Sequence, residues 1–117
     1  MNDSILITIK KLLGIDATYT HFDVDIIIHI NTTLSILRQL GVGLSDFRIT
    51  GPTETWGDFL GTSSQLDLVK SYVYLKVKSL FDPTSSGAIN TAFDAAIKEL
   101  EWRINVAVDP GEVNQNE

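Results

Sequence analysis

The sequence predicts an all-α fold: a bundle of four to five helices with a long glycine-rich central loop and a mobile C-terminal tail. Apolar residues recur at helical spacing in four long segments. Capping residues precede these segments, and glycine or an Asp-Pro step follows them. With 117 residues, 44% of them hydrophobic, the chain fits a single helical domain. We expect that domain over residues 1–108 and a flexible polar tail over residues 109–117.

The first predicted helix ends near Leu13. Asn2, Asp3 or Ser4 can cap its N-terminus, because their side-chain oxygens accept hydrogen bonds from free backbone N–H groups. Gly14 can adopt the left-handed conformation that often ends a helix. The sequence therefore predicts a short amphipathic helix at the start of the chain.

The second predicted helix spans residues 22–40 and ends at Gly41. Asp23 and Asp25 lie in its first turn and Arg38 in its last, where the helix dipole favours those charges. Residues 26–28, all isoleucine, also suit a β-strand. We favour a helix, because the longer apolar pattern is continuous and well capped.

Residues 42–64 lack a regular apolar period. The stretch is broken at Gly43, Gly51, Pro52, Gly57 and Gly61. A loop of this length is uncommon in a compact domain unless it has a role. Residues 47–50 could form a short strand, and residues 56–60 a single helical turn.

The third predicted helix covers residues 64–81 and ends before Pro83. It carries two apolar stripes on nearly opposite sides. One consists of Leu66, Val69, Val73, Val77 and Leu80, and the other of Leu68, Tyr72 and Leu75. A helix with two such stripes needs a partner on each side.

The fourth predicted helix covers residues 86–105. Its inward stripe is expected to contain Ile89, Phe93, Ile97, Leu100 and Ile104. A different face carries Ala88, Ala92, Ala95 and Trp102. Trp102 either anchors a subunit interface, lies half-exposed, or packs under the tail.

Composition narrows the function classes. The net charge of −6 and the scattered basic residues argue against binding to a phosphate backbone. The absence of cysteine removes disulfides, thiolate metal sites and cysteine nucleophiles. No signal-peptide pattern and no apolar run of membrane-spanning length is found, so we expect a cytosolic soluble protein without a membrane partner.

No residue pattern points to catalysis. His21, Asp25 and His29 follow one another at intervals of four, but eight residues separate the histidines by about 12 Å along a helix axis, too far for one ion. Neighbouring acids such as Asp23 and Asp25 point to different sides of a helix. We therefore expect no catalytic residue, no metal and no cofactor. A small metal-dependent enzyme using both histidines is the least favoured interpretation.

Surplus apolar surface without reactive groups is typical of a protein that assembles with copies of itself or with partners. The interface candidates are Trp56, Phe59, Leu68, Tyr72, Leu75, Ala92, Ala95, Trp102, Val106 and Val108. For Trp56 and Phe59, a satellite cluster of the core is an equally good interpretation.

Three segments carry a family resemblance: Thr-Trp-Gly-Asp-Phe-Leu-Gly at 55–61, Leu-Phe-Asp-Pro at 80–83, and Leu-Glu-Trp-Arg-Ile at 100–104. With the order of helices, they make the chain resemble the small head–tail connector proteins of tailed bacteriophages, also called adaptor or head-completion proteins. The resemblance covers residues 5–110.

The resemblance implies a structural α-helical subunit that forms a homo-oligomeric ring beneath the portal. Such a ring extends the DNA channel, lets DNA pass without specific binding and docks stopper or tail-completion proteins. It also implies assembly in the host bacterial cytoplasm and a final place in the virion neck. By position, residues 49–64 and 107–117 would meet the portal or the neighbouring copy. The alternative is a small helical protein-binding or regulatory module without catalytic activity.

Overall fold

A computed structural model describes residues 2–61, 65–82 and 86–108. Over these ranges the chain forms five α-helices and no β-strand, which confirms the all-α prediction. The helices are α1 (Ile5–Leu12), α2 (Asp23–Gln39), α3 (Trp56–Leu60), α4 (Leu66–Phe81) and α5 (Gly87–Val108). The predicted tail at 109–117 lies outside the described residues, so the domain and tail boundaries stay predictions.

The ends of α1 follow the predicted caps, whereas α2 begins after Phe22 without a side-chain capping hydrogen bond. The Ser4 hydroxyl oxygen accepts a hydrogen bond from the Ile7 N–H at 3.2 Å, and Gly14 has a φ of 81° just after α1. The three isoleucines at 26–28 are helical, and Ile26 is fully buried. The continuous helical period therefore outweighs the local strand propensity of those residues.

A buried lysine ties α1 to the start of α2. Lys10 is only 1% exposed. Its ammonium group donates hydrogen bonds to the carbonyl oxygens of Ala17 at 3.1 Å and Tyr19 at 2.7 Å. It also forms an ion pair of 2.8 Å with the Asp23 carboxylate. The two carbonyl oxygens accept hydrogen bonds from the ammonium group and the Asp23 carboxylate balances its charge, which together offset the cost of burying it.

The central segment is held by side chains. The predicted helical turn forms as α3, with a reciprocal capping box between Thr55 and Asp58. The short strand considered for residues 47–50 does not form. Instead, the Asn31 amide of α2 pairs with both backbone groups of Ile49, at 3.0 and 2.8 Å. Because Asn31 satisfies that N–H and C=O, the segment needs no second strand.

Helix α4 is packed on two sides, against α2 and against α5. Val69, Val73 and Val77 are fully buried. Tyr72 is also buried, and its hydroxyl donates a 2.7 Å hydrogen bond to the Glu101 carboxylate of α5. The last helix of the same chain thus covers Tyr72 in the second apolar stripe.

Gly43 is predicted to be the least replaceable glycine of the described residues. Its φ is +89°, and a Cβ there would overlap the buried ring of Phe59. Gly14 is the matched control, since its φ is +81° with no heavy atom within 4 Å of an added Cβ. We expect Gly14→Ala to cost about 1 kcal/mol from backbone strain and Gly43→Ala about 2–4 kcal/mol from strain plus overlap. Urea unfolding followed by circular dichroism measures both; equal losses would contradict the close packing of Gly43.

The Tyr72–Glu101 bond predicts a specific pH dependence. Burial, together with the hydrogen bond to and the charge of Glu101, raises the pKa of Tyr72 above its usual value of about 10. Near and above pH 10 the unfolded chain releases this proton while the folded chain keeps it. The stability that Tyr72 contributes is therefore fully present below pH 10 and is lost as the pH rises.

We expect the difference in unfolding free energy between the wild type and Tyr72→Phe to shrink between about pH 9.5 and 11. Tyr74→Phe is the control for losing a tyrosine from the same helix. Chemical denaturation at several pH values gives the result, and a difference that stays constant across this range would contradict the buried bond.

Candidate assembly surface

One side of α5 is apolar and open to solvent. Ile97 and Ile104 are buried on the side facing the core. The opposite side carries the outer stripe, which we define as Ala88, Ala92, Ala95, Trp102 and Val106. All five are exposed, with Trp102 at 65% and Val106 at 49%. At 100° per residue, these positions lie close to 180° from Ile97 and Ile104.

The surroundings of Trp102 are charged. Arg103 donates to the Glu99 carboxylate at 2.9 Å, one turn apart on the exposed surface of α5. At 100° per residue, Glu99 and Arg103 lie on the same side of Trp102, and the exposed Lys98, one turn before Trp102, lies on its other side. Val108 is exposed at the end of the same helix. Its side chain lies beside Gly41, which follows α2.

The prediction of an inward Ile89 is wrong, because this side chain is 47% exposed. It lies in the first turn of α5, and Leu80 in the last turn of α4 is exposed as well. Both residues lie where the chain passes from α4 to α5. Helical spacing predicts which side of a helix a residue lies on. It does not predict how far along the helix the neighbouring element extends to cover that side.

Three of the interface candidates lie in the core. Trp56, Phe59 and Tyr72 have no exposed surface. The Trp56 indole N–H donates to the Thr8 hydroxyl at 3.2 Å, and the Phe59 ring lies 5.4 Å from the Phe47 ring. The hydrogen bond to Thr8 connects α3 to α1, so the core interpretation of Trp56 and Phe59 is the one the structure shows.

The other candidates keep accessible surface. Leu68 and Leu75 on α4 are partly buried, whereas Ala92, Ala95, Trp102, Val106 and Val108 on α5 are exposed. The difference has a simple cause: α5 covers one side of α4, but among the described residues nothing covers the outer side of α5. The accessible candidates therefore concentrate on α5.

A groove lies between the end of α1 and α4. We call it the α4 groove; its volume is about 530 Å³, and it is lined by Leu12, Asp67, Lys70, Ser71, Tyr74 and Leu75. Leu12 is 47% exposed. Sequence reasoning missed this groove, although α1 has five apolar residues within one short helix, more than one face can bury. Asp67 and Lys70 place one charge of each sign at its rim.

A larger groove of about 950 Å³ lies between α2 and residues 46–50. Ile28 lines it, and Val24, one turn earlier on α2, is also exposed. The isoleucine run at 26–28 was the available signal, since three consecutive apolar residues cannot all face one side of a helix. Arg38 and Arg48 also line this groove, so its character is mixed.

The histidines form no reactive cluster. The His21 ring packs edge-on against Phe22, with ring centroids 4.8 Å apart. His29 and Asp25 line a separate groove with Phe22 and Phe81. In the described part of the chain, no three His, Cys, Asp or Glu side chains are grouped so that they could hold a metal ion. None of the helices described combines the length and apolar character that crossing a bilayer requires.

No curated protein and no solved structure shows significant similarity to the chain. A family model described as "Phage connector protein" matches residues 5–111. The match spans all the described helices, including the outer stripe of α5 and the α4 groove. It confirms the resemblance carried by the segments at 55–61, 80–83 and 100–104. The chain belongs to the phage connector protein family.

Proposed function

We propose that this protein is a structural subunit of the phage neck. In this proposal, copies of the chain form a ring beneath the portal, extend the DNA channel and dock a stopper or tail-completion protein. Subunits assemble in the host bacterial cytoplasm and end in the virion neck. The observation that carries the proposal is the exposed outer stripe of α5 in a member of the phage connector family.

Covering the outer stripe with another protein molecule would contribute favourable free energy to assembly. Removing apolar surface from water contributes about 25 cal/mol per Å², and tryptophan is among the residues that dominate interface energies. Ala92 and Ala95 have short side chains, which lets a partner approach the helix backbone closely. No reactive group accompanies the stripe, so the proposal gives this surface a role in assembly and assigns no catalytic residue or cofactor.

The charge of the chain supports a position along the DNA path. A net charge of −6 disfavours attachment to phosphate groups. DNA can then move through a channel lined by such subunits without being held. This role differs from that of a DNA-binding protein, which needs clustered basic residues.

Mixing the protein with the portal protein of the same phage tests the proposal. We expect light scattering and electron microscopy to detect a ring of this protein on the portal. Trp102→Ser should weaken this association by about 30-fold, corresponding to about 2 kcal/mol for a desolvated tryptophan anchor. Asn105→Ser is the matched control, because Asn105 is exposed on α5 outside the outer stripe.

A protein that stays monomeric and binds neither portal nor tail-completion proteins would overturn the proposal. If Trp102→Ser and Asn105→Ser weakened assembly equally, the outer stripe would not be the assembly surface. A connector role through another surface would then stand.

A further inference from the structure

We propose that the outer stripe of one copy docks into the α4 groove of the next copy, with Trp102 as the inserted side chain. This inference rests on the proposed function and names the contact that would join neighbouring subunits. The occupant is a second copy of this chain. The argument uses the placement, the chemistry and the charges of the two surfaces.

The two surfaces lie on different sides of the subunit, although Leu75, at one edge of the groove, is only about 60° from Tyr72 around α4. Tyr72 lies on the side of α4 that meets α5, as its hydrogen bond to Glu101 shows. Tyr74 lines the α4 groove, and positions two apart on a helix differ by about 200°. The outer stripe lies on the far side of α5. One subunit can therefore engage two neighbours at once, as a head-to-tail ring requires.

The chemistry of the groove suits an aromatic side chain. Leu12, Tyr74 and Leu75 provide apolar walls, and the volume is about 530 Å³. Buried tryptophan anchors characteristically fill pockets of this kind at the centre of protein interfaces. Ala95 lies on the same side of α5, two turns before Trp102, and its short side chain allows the helix to come close to the groove.

The α4 groove and the surface around Trp102 each carry an acidic and a basic residue that can pair across the contact. Asp67 and Lys70 lie at the groove, three residues apart on α4. Glu99 and Arg103 lie to one side of Trp102, four residues apart on α5. One orientation of the docked helix places Arg103 beside Asp67 and Glu99 beside Lys70. Pairing two outer stripes with each other would instead close a dimer and leave the groove unused.

Cysteine cross-linking tests the contact without competing thiols from this protein, because the chain contains no cysteine. Arg103→Cys and Asp67→Cys are made as separate variants, each at an exposed position. They are mixed under mild oxidation, with portal protein present. We expect the mixed disulfide to form about 10-fold faster than with Gln39→Cys, an exposed control on α2, because docking raises the local thiol concentration.

A charge exchange provides the second measurement. Asp67→Arg and Arg103→Asp should each weaken assembly by about 3-fold or more, and the double variant should regain most of the loss. If rings form on the portal but neither the selective cross-link nor the rescue occurs, the inference is overturned and the proposed function stands.

Faster linking of Arg103→Cys to itself than to Asp67→Cys would overturn the inference in favour of pairing between two stripes. A protein that never assembles would overturn both the inference and the proposed function.

Discussion

The one-sided packing of α5 on α4 is the constraint on which the rest of the structure depends. Helix α5 is 22 residues long and has apolar residues on two opposite sides. Ile97 and Ile104 are buried toward the core, and Trp102 points to solvent. Because α5 fills one side of α4, Tyr72 becomes part of the core. Among the described residues nothing lies beyond α5, so its other side stays exposed.

In the N-terminal half, polar side chains hold α1, α2 and the central segment together, and α4 packs against this part of the chain. Lys10 holds the connection between α1 and α2, and Asn31 holds the central segment against α2. Trp56 and Phe59 of that segment are fully buried in the core. Lys10 and Asn31 are helix residues that bind backbone groups of irregular segments. These contacts hold the irregular segments against the helices. Exposed apolar residues remain on α5, at Leu12 of α1 and at Val24 and Ile28 of α2.

Much of the fold follows from the sequence, because helix signals are local. Ser4 and the Thr55–Asp58 pair cap helices through contacts three residues apart, so the boundaries of α1 and α3 were predictable. Helical spacing likewise separated the two sides of α5. Each of these features depends on residues within one or two turns of each other.

What the sequence could not show is which neighbour covers each side. Periodicity placed Tyr72 and Trp102 on second stripes alike, yet α5 covers Tyr72 and leaves Trp102 exposed. Long-range pairs such as Asn31 with Ile49 have no signature in spacing. The burial of Lys10 also depends on carbonyl groups seven and nine residues away, which only the folded loop brings together.

Tryptophan fluorescence quenching tests the central claim most directly, namely that another protein molecule covers the outer side of α5. The chain has two tryptophans, of which Trp56 is buried and Trp102 exposed. Iodide should quench the emission of Trp102 in the free subunit, and assembly with the portal should protect it. Quenching that is unchanged in the assembled particle would contradict the account, because Trp102 would then remain in contact with solvent.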